Sequence, residues 1–276
     1  MKKWGLIFVG SFLFTSLGCT SIINKMAFHP NTTTGLLSTN QLPSGVVEKE
    51  IPTSDGLKLS SLYIKNTSST DLVIYFHGNA GNIYSRLPDL KVLSSLGVNV
   101  LGVSYRGYGK SPGSPSEKGV YLDGKAALQF ARSTLGFSDK HIFIMGRSIG
   151  TTVAINTAIN QHIRGLILVS PLTSGKEMAK LGPLNWLSFL TGEFFNNIGK
   201  ADQIKAPTLV IHGTADPVIP FSMGEAIFNK ITAPKSFLKI DGAAHNDLSS
   251  PRYARFYWGA ITAFLKENHT KTKPKK

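Results

Sequence analysis

The chain has 276 residues, of which 42% are hydrophobic and 27 are glycines, and its formal net charge is +14. This composition excludes a disordered chain and a membrane protein with many spans, and the length allows one large α/β domain or two smaller ones. The positive charge is spread along the chain, apart from a cluster of lysines near its end. Because there is no continuous basic stripe with interleaved aromatic residues, we predict no nucleic-acid partner.

The first residues predict export. Two lysines precede an apolar stretch, residues 4–17, in the pattern of a signal peptide. The stretch ends at Gly18-Cys19, which resembles a bacterial lipobox, where the cysteine is lipidated and becomes the mature N-terminus. An uncleaved anchor and plain secretion are the alternatives, since the uncharged run 4–24 is about long enough to span a bilayer. We therefore predict an exported protein of the bacterial cell envelope, attached to the membrane through an N-terminal lipid or anchor.

The predicted domain boundaries follow from composition. Residues 1–18 are predicted to be a signal peptide, and residues 19–45, rich in Asn, Thr, Ser and Gly, a tether without regular structure. A folded domain is predicted over residues 46–269, followed by a basic tail, 270–276. Cys19 is the single cysteine of the chain, so no internal disulfide can form.

Alternating strands and helices predict the fold class. Two strands, 46–51 and 57–64, flank an Asp-Gly turn and predict an antiparallel start to the sheet. After them, apolar runs of strand length alternate with segments of helix length; these strands are 72–76, 98–103, 142–145, 166–169, 208–211 and 236–240. This order predicts an α/β protein with a mostly parallel, doubly wound sheet.

A long connection, residues 171–205, interrupts this alternation and is predicted to form a small helical cap. The spacing of Leu187, Leu190, Phe194 and Ile198 predicts a helix with one apolar face. Such a face would either line an acyl pocket or dock the insertion on the sheet, and both alternatives stay open.

The sequence GRSIG, Gly146–Gly150, lies between the apolar run 142–145 and a helix-compatible segment, 151–158. In a G-x-S-x-G motif at such a junction the serine sits on a strained turn above the carboxyl edge of the sheet, and the glycines avoid clashes between strand and helix. We predict Ser148 as a nucleophile and the backbone N–H of Ile149, at a helix N-terminus, as an oxyanion donor.

A His-Gly loop follows the strand 72–76. Loops of this kind supply a second oxyanion N–H, because glycines let the backbone approach a substrate carbonyl closely. We predict the backbone N–H of Asn79 in this role. His77 is predicted to be structural and to fix the loop through its ring nitrogens.

An acid and a histidine follow Ser148 in the chain. Asp216 comes just after the strand 208–211, and His245 follows the last predicted strand. Glycine and alanines before His245 predict a flexible, uncrowded loop that lets its ring reach Ser148. The order Ser, Asp, His is that of a triad on a parallel α/β sheet.

Together these residues predict a serine hydrolase. His245 would take the proton of Ser148 during attack on an acyl carbonyl, Asp216 would stabilise the imidazolium, and water would cleave the acyl-enzyme. The predicted substrate is a small-molecule or lipid-like ester or thioester, with no cofactor and no metal. A peptidase or amidase-like hydrolase and a non-catalytic envelope lipoprotein that binds through the same fold are the alternatives. The sequence makes no prediction of oligomeric state.

Five motifs also resemble those of a known family. In order they are HGNAGN (77–82), YRGYGKSPG (105–113), GRSIG (146–150), HGTADPVIP (212–220) and GAAHND (242–247). They are similar to α/β-hydrolase-domain proteins related to eukaryotic protein depalmitoylases and to serine-aminopeptidase-like hydrolases. The resemblance covers about residues 46–265 and implies the α/β-hydrolase fold with Ser148, Asp216 and His245 as triad. It leaves the substrate open, since that branch contains thioesterases and esterases.

Overall fold

The structure is a computed structural model that describes residues 23–25, 27–182, 185, 188 and 191–270. The predicted signal peptide, Cys19, nearly all of the basic tail, and Leu187 and Leu190 of the insertion lie outside the described residues. No helix among the residues that are described combines the length and the apolar character needed to cross a membrane.

Within the described residues, eight strands form one sheet in the order β1-β2-β4-β3-β5-β6-β7-β8. The first two strands and the β2–β4 pair are antiparallel, whereas β3 to β8 run parallel to one another. The strands are β1 (Val46–Pro52), β2 (Lys58–Ile64), β3 (Leu72–Phe76), β4 (Asn99–Val103), β5 (Ile142–Arg147), β6 (Gly165–Val169), β7 (Thr208–Gly213) and β8 (Lys235–Ile240).

In the part of the chain that the structure describes, six α-helices connect or follow the strands. They are α1 (Leu87–Ser95), α2 (Glu117–Ser133), α3 (Gly150–Ala158), α4 (Gly175–Lys180), α5 (Phe221–Lys230) and α6 (Ala254–Thr270). Short 3₁₀ turns stand at Thr39–Gln41, Tyr84–Arg86, Asp139–His141 and Ala201–Gln203. Ser116 begins α2 by accepting the N–H of Gly119 at 3.1 Å, as expected of a residue that caps a helix N-terminus.

Both faces of the sheet are covered. Leu72, Ile74 and Phe76 of β3 belong to a hydrophobic cluster that includes residues of α2, α3 and α5. Val73 and Tyr75 point to the other face, into a cluster that includes residues of α1 and α6. A parallel strand buried on both faces is apolar at every position, because successive side chains alternate between faces. The prediction of a mostly parallel, doubly wound sheet with antiparallel N-terminal strands is confirmed.

The insertion differs from its prediction. It contains the short helix α4, but the predicted apolar helix does not continue through the described residues at its far end. Phe194 lies in a turn, and Phe195 has a φ of +50°, which no α-helix tolerates. Ile198 lies beyond that turn, outside any helix. Apolar spacing alone indicated a helix here because it reports burial and not the backbone angle of each residue.

Residues 27–34, here called the strap, also differ from a free tether. Phe28 is buried against the hydrophobic cluster below it, with its ring centroid 5.7 Å from that of Phe195. The strap is further held by hydrogen bonds to the loops 77–82 and 105–113. A segment rich in Asn and Thr can dock in this way, because hydrogen bonds between side-chain amides and main-chain carbonyls take the place of the backbone hydrogen bonds between paired strands.

Candidate active site

Ser148 lies on a sharp turn between β5 and α3. Its φ is +54°, in the left-handed region that a residue with a side chain rarely adopts. A Cβ on Gly146 would lie 2.4 Å from the Gly150 carbonyl oxygen, and one on Gly150 only 2.2 Å from that of Phe76. The two glycines are therefore required for the close passage of strand and helix, and the turn projects Ser148 at the carboxyl edge of the sheet.

The structure brings Ser148 and His245 together from loops that follow β5 and β8. The Nε2 atom of His245 lies 3.0 Å from Oγ of Ser148. On the other side of the ring, Nδ1 lies 2.7 Å from Oδ2 of Asp216. Because a carboxylate only accepts, Nδ1 carries a hydrogen and Nε2 is left to accept the hydroxyl proton of the serine.

Asp216 is buried behind this histidine. Its Oδ1 atom accepts the backbone N–H groups of Val218 and Ile219, each at 2.9 Å. Burial raises the pKa of Asp216, but hydrogen bonds from His212, His245 and the Ile219 amide outweigh it and hold that pKa well below its usual range. The carboxylate therefore stays ionised and fixes the orientation of the His245 ring.

The loop that carries His245 differs from its prediction, because it is packed. The guanidinium of Arg147 donates to the His245 carbonyl at 3.1 Å, and the Ala244 N–H donates to Asp247 at 2.7 Å. Ala243 is fully buried, and a Cβ on Gly213 would lie 2.2 Å from its carbonyl oxygen. Small residues here permit close packing between the loops after β7 and β8, and the ring of His245 is positioned by that packing.

Two backbone segments lie next to Ser148. Ile149 directly precedes α3, where the first N–H groups of a helix have no acceptor within the helix. The loop after β3 passes so close that a Cβ on Gly78 would lie 3.5 Å from Cβ of Ser148. Asn79 and Ile149 line the same cavity as the serine. The structure thus gathers all five residues that the sequence predicted for the site in the folded domain.

His77 is buried and holds its loop through one ring nitrogen and not through both. Nδ1 donates to the Gly78 carbonyl at 2.7 Å, whereas Nε2 has no hydrogen-bond partner among the described residues. Burial lowers the pKa of His77 to about 4. The ring also packs on that of Tyr105, with centroids 4.5 Å apart. These contacts fix the imidazole against its own loop and against Tyr105.

An apolar cavity of about 330 Å³ opens beside Ser148. Its volume is at the lower end of the range for small-molecule pockets. The described residues that line it carry no charge; they are Ile23, Ala27, Asn79, Ser148, Ile149, Leu172, Gly175, Met178, Ala179, Thr191, Phe194, Phe195, Val218 and Ile219. Phe194 thus lines the cavity and also packs against the sheet cluster, so both roles left open for the insertion apply to this residue.

Comparison with known proteins gives the family. A family model described as alpha/beta hydrolase fold matches residues 71–197. Alpha/beta hydrolase domain-containing protein 17B of Homo sapiens is 35% identical over 198 residues, which are 71% of this chain and 68% of that protein. The chain belongs to the α/β-hydrolase family. An uncharacterized protein of Mycobacterium tuberculosis is 33% identical over 212 residues, 75% of this chain and 74% of its own.

Solved structures agree with this α/β-hydrolase assignment at the level of fold. An esterase of Pyrococcus furiosus has a TM-score of 0.72 and 24% identity, covering 87% of this chain and 98% of the esterase. Acetyl xylan esterase from Paenibacillus sp. R4 has a TM-score of 0.68 and 20% identity, covering 92% and 93%. The fold class predicted from the sequence is therefore confirmed.

Sequence reasoning missed two side chains that hold this α/β-hydrolase site together. No role is predicted from the sequence for Arg147 or for His212. Arg147 follows the last apolar residues of β5 and directly precedes the serine, which is a position from which a long side chain can reach a neighbouring loop. His212 lies four residues before Asp216, and no local pattern distinguishes it from an ordinary buried histidine.

The described residues contain no group of three or more His, Cys, Asp or Glu side chains that could hold a metal ion. A hydroxyl in contact with a bare imidazole nitrogen, itself oriented by an ionised carboxylate, can be deprotonated as it attacks a carbonyl.

Proposed function

We propose that this protein is a serine hydrolase that cleaves carboxylic esters or thioesters through an acyl-enzyme. The observation that carries the proposal is the chain of contacts from Asp216 through His245 to Ser148, with Ser148 opening into an apolar cavity. The similarity to solved esterases agrees with the proposal.

In the proposed reaction, Nε2 of His245 accepts the Ser148 proton as Oγ attacks the acyl carbonyl. The N–H groups of Ile149 and Asn79 stabilise the oxyanion, and one such donor is worth on the order of 10²-fold in rate. The imidazolium then protonates the leaving group, and the same histidine activates the water that releases the acid. Asp216 stays ionised and stabilises the positive ring throughout.

The cavity favours esters and thioesters over aminoacyl amides. An aminoacyl substrate brings a free ammonium group, which costs several kcal/mol to bury unless an opposite charge pairs with it. The described residues around the cavity offer no carboxylate. An uncharged acyl chain, by contrast, is stabilised by contact with side chains such as Met178 and Phe194. An apolar acyl group is therefore the proposed substrate class, and the peptidase alternative is disfavoured.

The test is fluorophosphonate labelling of the purified protein beside Ser148→Ala, followed by hydrolysis of p-nitrophenyl esters of increasing chain length. We expect labelling and turnover in the wild type, loss of both in the variant, and faster hydrolysis of apolar esters than of aminoacyl amides. A folded wild type that neither labels nor turns over would instead support a binding protein that shares the fold.

We also propose that the reaction takes place at the bacterial cell envelope. The support is the sequence pattern alone: a positively charged start, an apolar stretch and Cys19 after a small residue. In a bacterial host, metabolic labelling with a fatty-acid analogue should mark the wild type in the membrane fraction and leave Cys19→Ser unmarked. Export without labelling of either protein would favour the anchor or plain secretion.

A further inference from the structure

The side chain of Asn79 is held at both ends of its carboxamide. Nδ2 donates to the Ala27 carbonyl at 2.9 Å, and Oδ1 accepts the backbone N–H of His29 at 2.9 Å. The hydroxyl of Tyr108 donates to the same Oδ1 at 2.6 Å. Three hydrogen bonds thus fix the side chain of Asn79, the residue whose backbone N–H is the proposed second oxyanion donor. Two of these bonds are made by the main chain of the strap, which is about 50 residues away in the sequence.

The strap is itself fastened beyond these bonds. Nδ2 of Asn82 donates to the Asn31 and Thr34 carbonyls at 3.3 and 3.0 Å, and the Gly109 N–H donates to the Asn31 carbonyl at 2.9 Å. Phe28 is only 4% exposed. The strap therefore joins the loop after β3 to the loop after β4, and it does so directly beside Asn79.

The loop after β4 also contacts the loop that carries Asn79. The Tyr105 hydroxyl donates to the His77 carbonyl at 2.8 Å, and the Tyr108 ring packs edge-on against His77 with centroids 5.3 Å apart. Tyr108 also reaches the strap, since its hydroxyl accepts the His29 N–H at 3.2 Å. The peptide between His77 and Asn79 is thus held between two separate segments of the chain.

We propose that the strap and Tyr108 are positioning elements for the oxyanion donor. They hold the Asn79 carboxamide, and through it they fix the direction of the Asn79 N–H toward the oxyanion that forms above Ser148. The inference rests on the proposed hydrolase function. A glycine-flanked loop has many accessible conformations, and an N–H misplaced by about 1 Å loses much of its effect on the transition state. The segment before the predicted domain is therefore part of the active site.

The test uses Asn79→Ala, which removes all three bonds but keeps the backbone N–H, and Tyr108→Phe, which removes a single hydroxyl. We expect kcat to fall roughly 10- to 100-fold in the first and several-fold in the second, with KM nearly unchanged. The affinity of a boronic acid that mimics the tetrahedral intermediate should fall by the same factor as kcat/KM. This parallel loss distinguishes an oxyanion effect from a general loss of folded protein.

Phe28→Ala tests the strap without touching Asn79. Removing the ring loosens the docking of the strap, so kcat and boronic acid affinity should fall together here as well. Tyr63→Phe is the control that matches Tyr108→Phe, because it also removes a single tyrosine hydroxyl. That hydroxyl donates to Oδ1 of Asn99 at 3.2 Å, at the amino end of β4 and away from Ser148. We expect this control to keep both values.

Two outcomes would overturn the inference. An active wild type whose kcat and boronic acid affinity survive in folded Asn79→Ala and Tyr108→Phe would reject the positioning role and leave the proposed hydrolase intact. A folded wild type with neither labelling nor turnover would reject the proposed function and this inference with it. Tyr108→Phe keeps the test valid if Asn79→Ala does not fold.

Discussion

The imidazole of His212 lies against the carboxylate of Asp216, with Nε2 3.4 Å from Oδ2, the same oxygen that lies 2.7 Å from Nδ1 of His245. The same Nε2 donates to the Ile219 carbonyl at 2.9 Å, so this nitrogen carries a hydrogen. A Cβ on Gly224 would lie 2.2 Å from the other ring nitrogen, which shows how closely α5 packs on the ring. The carboxylate of Asp216 is thus contacted by two histidines, of which His245 also contacts Ser148.

His212→Leu removes a donor from Asp216 and from the Ile219 carbonyl. We expect kcat to fall roughly 10-fold, because an unpaired buried acceptor costs about 1–3 kcal/mol and the carboxylate loses part of its orientation. His212→Gln offers an N–H near the same position and should recover much of the loss. Steady-state kinetics with both variants provide the measurement; equal activities in the two would contradict a role for the donor.

Arg147 joins the serine turn to the histidine loop. Arg147→Met keeps most of the apolar length of the side chain but leaves the His245 carbonyl without its donor. We expect kcat to fall roughly 10- to 100-fold, since hydrogen bonds to charged groups contribute about 1.5–3 kcal/mol. Asp89→Asn is the control, because Asp89 lies 3.9 Å from the guanidinium and makes a weak contact. Similar losses in the two variants would point to a general effect on folding.

The size of the cavity predicts acyl-chain selectivity. Ala179 lines the cavity from α4, so Ala179→Phe should fill part of it and shift the optimal p-nitrophenyl ester to a shorter chain. Lys176→Phe adds the same ring to an exposed position of α4 that does not line the cavity. We expect the optimum to stay unchanged in this control. A chain-length series for both variants measures the effect, and an unshifted optimum in Ala179→Phe would place the acyl chain elsewhere.

Because His77 is buried with a lowered pKa, we predict that the stability of the folded protein falls in acid. Burial is the main cause of its low pKa, about 4, whereas an unfolded histidine titrates near ~6.5. Below ~6.5 the unfolded chain binds a proton that the folded protein does not, so stability is fully present above that pH and is lost as pH falls toward about 4. The free energy of unfolding falls by about 3 kcal/mol in total, because each unit of difference between the folded and unfolded pKa corresponds to roughly 1.4 kcal/mol.

Urea unfolding at several pH values measures this effect. In His77→Asn the side-chain amide can still donate to the Gly78 carbonyl, but nothing titrates there. The free energy of unfolding should then change less between pH 7 and pH 4 than in the wild type. An identical slope in both proteins would assign the acid sensitivity to other groups.

Glycines at two positions predict opposite stability effects. Gly150→Ala places a methyl 2.2 Å from a main-chain oxygen that cannot move without shifting β3, so we expect severe destabilisation. Gly259→Ala, on an exposed face of α6 with nothing within 4 Å, should stabilise the protein by about 0.5–1 kcal/mol because alanine favours helices. Thermal unfolding compares them, and a tolerated Gly150→Ala would contradict the close approach.

The sequence predicted the sheet and the five site residues because their signals are local. Buried parallel strands such as β3 are continuous apolar runs, and Ser148 is marked by the glycines around it. The strap carries no such signal, since its contacts join segments far apart in the chain. His212 contacts Asp216 and Ile219, which are close to it in the chain, but no local pattern distinguishes it from an ordinary buried histidine. The insertion was predicted wrongly at Phe194 for a related reason: helical spacing of apolar residues does not reveal the left-handed backbone at Phe195.

The large sequence separation between the residues of the site also determines the stage of folding at which the site forms. Ser148 and His245 are 97 positions apart, and His29 and Asn79 are 50. Parallel strands bring such segments together only late in folding, because distant contacts must first overcome the entropy of closing long loops. A partly synthesised or partly folded chain therefore holds an ordinary serine with no base beside it. The fraction of molecules that a fluorophosphonate labels would then equal the fraction that has folded completely. The same probe would therefore also measure correct folding.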